Sequence, residues 1–154
     1  MKGKRFIIVL VIMVMLFAVN SSVFAGNNPP TSTTTLPYYT SKTRIYSYTY
    51  TARKFKPYST GYIYFCFYGQ CQSTSPATTI VFNLYRDESS GGVSVSQKSY
   101  SGSYFPHTPQ YSISGLDTSK YYYGKVTKNN TSEYMDFKIG YGRNIAEASN
   151  FTFN

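Results

Sequence analysis

The sequence predicts an all-β protein of seven or eight strands, and three observations carry that prediction. The chain holds 18 Tyr and 11 Phe but no Trp, and it is rich in Thr and Ser and poor in Ala, Leu and Glu. Aromatic and branched side chains suit a pleated, half-buried surface better than a helix. Apolar residues recur at period two in segment after segment, and none shows the 3.6-residue period of an amphipathic helix. Clusters of Gly, Pro, Asn, Asp and Ser interrupt the chain roughly every eight to twelve residues, the spacing of a sandwich. No internal repeat is present.

Taken in order, the chain opens with an export leader. Lys2, Lys4 and Arg5 precede an unbroken apolar run from Phe6 to Val19, and Val23-Phe24-Ala25 offers a cleavage site after Ala25. Fourteen apolar residues at 1.5 Å each fall short of a hydrocarbon core about 30 Å thick, so cleavage is favoured over anchoring. The expectation is a protein secreted as residues 26–154, with no integral membrane segment left after cleavage. The style of the leader fits a bacterial exporter. Losing its three cations lowers the formal charge from +9 to +6. Residues 26–41, rich in Pro, Thr and Ser, read as a flexible extended lead, and residues 42–154 as one domain.

Lys42 to Thr51 alternates, with Tyr46, Tyr48 and Tyr50 on one side and Ile45, Ser47 and Thr49 on the other. This is an expected edge strand. Ala52 to Gly61 reads as a loop carrying Arg53, Lys54 and Lys56. Tyr62 to Tyr68 is the most aromatic strand, with Ile63, Phe65 and Phe67 toward a core and Tyr62, Tyr64, Cys66 and Tyr68 away from it. A turn at Gly69 then brings Cys71 within reach of Cys66. Two cysteines in an exported chain predict a disulfide; so short a loop gives it only roughly 2 kcal/mol.

Thr78 to Arg86 points Ile80, Phe82 and Leu84 inward. Asp87 to Gly92 is a turn, and Val93 to Lys98 returns from it. Ser99 to Pro109 reads as a loop, and Gln110 to Ser114 as a short strand. After Tyr121-Tyr122-Tyr123, Ser132 to Ile139 sets Met135, Phe137 and Ile139 inward. Gly140 to Asn144 reads as a turn, and Ala148 to Asn154 as a last strand presenting Phe151 and Phe153.

Ser114-Gly115-Leu116, a short corner, and Tyr122 six residues after Leu116 resemble the tyrosine corner of fibronectin type III and related immunoglobulin-like sandwiches. Phe82-Asn83-Leu84-Tyr85-Arg86 is similar to their third strand. The resemblance implies an immunoglobulin-like antiparallel sandwich in which Leu116 enters the core, the Tyr122 ring packs inward with its hydroxyl bonding backbone a few residues upstream, and Gly124 and Val126 continue the inward face. Thr118 stands where such corners usually carry Pro, and the core Trp is missing. The fold hosts many functions, so the resemblance speaks to architecture alone.

Little in the sequence points to catalysis. The one His, His107, lies between prolines in a loop, with no acidic residue near it in sequence and no Gly-x-Ser-x-Gly elbow in the chain. Six acidic residues are scattered without metal-ligand spacing, and no phosphate-cradling Gly-rich motif implies a cofactor. The expectation is a non-enzymatic protein without cofactor or metal. Charge distribution says more. Lys42, Arg44, Arg53, Lys54 and Lys56 occur before any acidic residue and are interleaved with Tyr46, Tyr48, Tyr50 and Tyr58. Together with Tyr62 and Tyr64 they form a candidate binding face for an anionic surface polymer, a glycan or an extracellular protein, in which Tyr62, Tyr64 and Tyr68 are expected to join Tyr46, Tyr48 and Tyr50 as a ladder across neighbouring strands. Tyr121 and Tyr123, with Lys120 and Lys125, form a smaller second patch. The same pattern also describes an edge strand whose cations discourage aggregation and tyrosines that pack only on their cross-strand neighbours. A toxin-like or antimicrobial protein and a structural matrix protein are the alternative functions.

Overall fold

The computed structural model describes residues 26–73, 78–108 and 110–154; the expected export leader lies outside them. The described chain is almost entirely β. Twelve strands run in chain order: β1 (Thr33–Thr34), β2 (Tyr38–Tyr39), β3 (Thr43–Ile45), β4 (Tyr48–Tyr50), β5 (Lys54–Phe55), β6 (Ile63–Cys71), β7 (Thr78–Arg86), β8 (Val93–Gly102), β9 (Tyr104–Phe105), β10 (Gln110–Ile113), β11 (Tyr122–Lys128) and β12 (Met135–Gly142). One turn of helix, α1 (Ile145–Ala148), follows. The count exceeds the expected seven or eight because short pieces flank the five long strands.

The strands form two sheets packed as a sandwich. Sheet 1 has the order β1-β5-β11-β7-β8, with β4 also beside β11; sheet 2 has the order β10-β6-β12-β2, with β3 beside β12 and β9 beside β6. All pairings except β1–β5 are antiparallel. The inward residues of β6 (Ile63, Phe65, Phe67), β7 (Ile80, Phe82, Leu84), β11 (Tyr122, Val126) and β12 (Met135, Phe137, Ile139, Tyr141) make one core with Leu116. Phe65 stacks on Phe82 across the sheets at 4.4 Å. The inward faces predicted for these strands are the observed ones, Tyr122 stands opposite the β6 wall, and Tyr141, expected in a turn, extends the inward face of β12.

The corner itself is built as its residues predict. The backbone N–H of Asp117 donates to the Tyr122 hydroxyl at 2.9 Å, while Leu116 and the Tyr122 ring are buried. A buried phenol thereby satisfies its oxygen and one loop donor at once.

Several expectations fail. The 26–41 segment is not a free lead: β1 and β2 are laddered, Tyr38 enters the core, and the Gly26 carbonyl accepts from Tyr50 N–H at 2.9 Å. The predicted Lys42–Thr51 strand is broken at Tyr46-Ser47, where the chain leaves the flank of β12 for the flank of β11. Two threonines mend the ladders along this route. Thr40 N–H donates to the Ile139 carbonyl while the Thr40 hydroxyl accepts from Ile139 N–H. Thr51 does the same with Gly124. A hydroxyl standing in for a carbonyl leaves no buried N–H orphaned. The 52–61 loop contains β5, whose Phe55 is fully buried.

The disulfide is also absent. Gly69 does not turn the chain; β6 runs through it to Cys71 in unbroken register with β12, and both cysteines are free and buried. Five residues along one strand place them about 17 Å apart and on opposite faces, far beyond disulfide reach. Likewise Gly140 and Gly142 continue β12 rather than ending it, because that strand needs its full length to pair with β6. Part of the expected 99–109 loop belongs to β8 and β9. Residues 148–154, expected as a strand, begin in the last residue of α1 and turn at Ser149; they have no ladder partner, and Phe151 and Phe153 pack on the outer face of sheet 2.

Candidate functional site

The structure divides the predicted basic, Tyr-rich face into three places. Lys42 and Arg44 lie on the outer face of sheet 2. Arg44 forms a two-pronged ion pair with Asp136 at 2.7 and 2.9 Å and covers the Tyr134 ring, and Lys42 sits 4.4 Å above the Phe153 ring. Tyr64 is half-buried on the same face. Tyr48 and Tyr50 lie on the opposite surface, the outer face of sheet 1, with the Lys125 ammonium 4.6 and 5.2 Å from their ring centres. The expected tyrosine ladder joining Tyr46, Tyr48 and Tyr50 to Tyr62, Tyr64 and Tyr68 therefore does not exist, because β4 and β6 belong to different sheets. Tyr46 and Tyr62 are exposed in the connections flanking these strands.

The third place is the flank of sheet 1 at β1 and β5, and here the structure makes a concavity. Because β1 lies parallel to β5 (Thr33 opposite Lys54, Thr34 opposite Phe55), the Thr33-Thr34-Thr35-Leu36 backbone forms one wall. Lys56, Pro57, Tyr58 and Tyr121 form the other, enclosing a cleft of about 520 Å³. Lys56 lies 5.1 Å from the Tyr121 ring centre and Lys54 5.7 Å. Lys54 is neutralised by Asp87 at 2.5 Å, whereas Lys56 has no carboxylate within ion-pair distance among the described residues. Arg53 donates to the Thr33 carbonyl at 3.4 Å. The Arg143 guanidinium stands 5.0 Å from the Tyr58 ring centre. The Tyr58 hydroxyl donates to Glu147 at 3.0 Å; burial first, then this bond, pushes its pKa up to about 12. Tyr58 is therefore a neutral hydrogen-bonding wall at any physiological pH.

Arg53, Lys54, Lys56, Tyr58 and Tyr121 stand out in the sequence by composition, whereas Thr33 to Leu36 and Arg143 do not. The threonines fall within the expected lead. Their β-branched run ahead of Leu36-Pro37 was the available signal for a strand, whereas nothing in the local sequence of Arg143 ties it to Tyr58.

A second concavity, about 730 Å³, lies on sheet 2 between Tyr39, His107, Gln110, Lys138 and the 149–152 segment. His107, expected to be an exposed loop residue, is half-buried in a left-handed backbone conformation (φ 51°), with its ring between Tyr68 and Phe151 at 5.2 and 4.9 Å. Its Nδ1 is 3.8 Å from the Cys66 sulfur, and the thiol donates to the His107 carbonyl at 3.3 Å. Burial pushes the Cys66 pKa up to about 11. A nucleophilic pair needs a thiolate at neutral pH, and this thiol stays protonated. Among the described residues no three His, Cys, Asp or Glu converge as metal ligands, and no helix is long and apolar enough to span a membrane.

No protein-family model, curated protein or solved structure matches this chain. The geometry of the two clefts is therefore the whole basis for a functional reading.

Proposed function

We propose that the protein is a secreted, non-enzymatic binding module of immunoglobulin-like build, and that the β1–β5 cleft takes an anionic polymer or glycan. The family resemblance is supported by the Asp117–Tyr122 corner and by the neighbours of the central strands, with β6 beside β10 and β11 beside β7. One feature sets the chain apart from that plan, in which the strand after the corner strand pairs with it. Here β12 crosses to sheet 2, and the N-terminal β4 and β5 occupy the flank of β11 instead.

The observation that carries the binding reading is Lys56 without a carboxylate partner, set against the Tyr121 ring and facing three threonines across the cleft. Flat aromatic faces stack on sugar rings, hydroxyls and backbone at β1 supply hydrogen bonds, and Lys56 supplies positive charge for an acidic group, with Arg53 and Arg143 beside the cleft walls at the Thr33 carbonyl and the Tyr58 ring. The division of charges also says which cations matter. Arg44 and Lys54 are held by Asp136 and Asp87, so a ligand that used them would have to displace a carboxylate.

Binding of the purified protein to an acidic and to a neutral polysaccharide, at low and high salt, tests this. The acidic polymer should bind more tightly and lose affinity as salt rises. Lys56→Glu combined with Tyr121→Ala should remove most of the binding, and Arg44→Ala on the far face should not. Binding that ignores ionic strength, or that survives the double substitution, would sink the reading.

A further inference from the structure

The sandwich has four sheet edges, and three of them are short. They are lined by β1 and β4, by β2 and β3, and by β9 and β10, none longer than four residues. Short edge strands are one of the ways proteins avoid sheet-to-sheet association. β8 differs. It is ten residues long, pairs only with β7 among the described residues, and exposes most of its side chains. It carries a single charge, Lys98, and no proline. A register shift opposite Leu84 and Tyr85 leaves Val95 unpaired as a bulge, and bulges twist an edge out of reach. Beyond it, Ser96 to Gly102 pair with β7 residue by residue, without interruption. Among the described residues, no strand pairs with the outer backbone of these seven.

We propose that β8 is a self-association edge, where two copies of this chain pair antiparallel about a two-fold axis at Ser99. Self-complementarity selects both the occupant and the register. Ser99 is the midpoint of the uninterrupted stretch, so pairing there uses all of it. In that register Lys98 faces Tyr100 of the partner subunit, and by symmetry Tyr100 faces Lys98 of the partner subunit, giving two cation–aromatic cross-strand pairs. Gln97 falls opposite Ser101 of the partner subunit. An axis at Lys98 would instead set two ammonium groups against each other. The cross-strand contact suits Lys98, which already lies 5.5 Å from the Tyr111 ring centre within its own chain. Such a contact is isologous and closes on itself, joining two copies of sheet 1 into one continuous sheet. It leaves the β1–β5 cleft, at the other flank of each sheet 1, free.

Sedimentation velocity on the purified protein over a concentration series tests the edge, and a cysteine at the axis tests the register. A monomer–dimer equilibrium is expected. Ser99 is exposed, so Ser99→Lys leaves the fold intact by circular dichroism while placing like charges face to face. It should weaken the dimer at least about tenfold. Mild oxidation of Ser99→Cys should give a disulfide-linked dimer, because antiparallel neighbours lie within disulfide reach; Ser94→Cys should not. A protein that stays monomeric at its highest soluble concentration, a dimer unaffected by Ser99→Lys, or assemblies larger than a dimer would each overturn the proposal.

Discussion

On the outer face of sheet 1, Tyr85 and Tyr123 stack at 5.6 Å and 10°, and Tyr50 packs edge-on to Tyr123 at 5.8 Å. On the outer face of sheet 2, Tyr39 and His107 lie against Phe151 and Tyr68 lies against Phe153 at 4.2 Å. Both faces bury aromatic surface away from the core, by different means. The sheet 1 cluster is made of laddered neighbours, since Tyr123 pairs with Tyr85 and Lys125 with Tyr50. Its geometry follows from the sheet. Sheet 2 is covered by a segment without a ladder of its own, held by its two rings and by the Lys138 ammonium donating to the Thr152 carbonyl at 2.6 Å. Aromatic area fixed by a ladder should behave as a second core. The same area covered by a terminal segment should open locally, ahead of global unfolding.

The largest effect expected from this contrast is on Tyr123. It is 1% exposed although it points away from the core, and a methyl group placed on Gly92 would overlap its hydroxyl. Tyr123→Ala should cost about 3 kcal/mol, in the range of a core aromatic truncation, read from urea unfolding. A loss under about 1 kcal/mol would mean that the cluster is surface decoration, and the contrast with sheet 2 would vanish.

Removing residues 151–154 should cost less, about 1–2 kcal/mol for two half-buried rings. The sharper readout is chemical. Cys66 lies on the outer side of β6 under His107, and Cys71 on the core side, so truncation should speed the reaction of Cys66 with a thiol reagent while Cys71 stays protected until the protein unfolds. Equal protection of both thiols after truncation would show that the terminal segment is not what shields this face.

What the sequence made legible was whatever period two decides locally. The inward faces of β6, β7, β11 and β12 and the corner at Leu116 and Tyr122 are all of this kind, because alternation selects a face wherever one side must be buried. Sheet membership is not written in alternation. Tyr46-Ser47-Tyr48 alternates as well across the crossing between sheets as within a strand, so one expected strand became two and the tyrosine ladder was lost with it. Glycine and cysteine misled for a related reason. Gly69, Gly140 and Gly142 read as turns, yet they are strand positions where a neighbour comes close, as Ala148 and Phe151 do at Gly140. Without the Gly69 turn, Cys66 and Cys71 fall on opposite faces. The candidate cleft was half legible: its cations and rings stood out by composition, whereas its threonine wall depends on a parallel β1–β5 pairing that no local pattern encodes.

The smallest predicted effect concerns acid. Of the three carboxyls among the described residues held below their ordinary value, Asp117 sits at the corner, where Ser119 bonds it, and the other two lie on the sheet 2 side. Hydrogen bonds from Arg44 hold the Asp136 carboxyl below its ordinary value. On α1, the Arg143 backbone N–H and then the Tyr58 hydroxyl do the same for Glu147. A carboxylate whose pKa is lowered by folding stabilises the protein fully above its unfolded value of about 4, and that contribution is lost as pH falls through the folded value. Glu147 also ties α1 to sheet 2, because its backbone carbonyl accepts from the Tyr39 hydroxyl at 2.7 Å. Acid should therefore loosen α1 and the terminal segment while the Tyr50–Tyr85–Tyr123 cluster, which contains no carboxylate, keeps its packing. NMR spectra recorded down a pH series should show the Phe151 and Phe153 signals moving before those of Tyr85 and Tyr123. The stability gap between wild type and Arg44→Ala should narrow over the same range. A gap that stays constant into acid would mean that the Arg44–Asp136 pair contributes nothing, as many exposed ion pairs do, and that sheet 2 keeps its cover through aromatic contact alone.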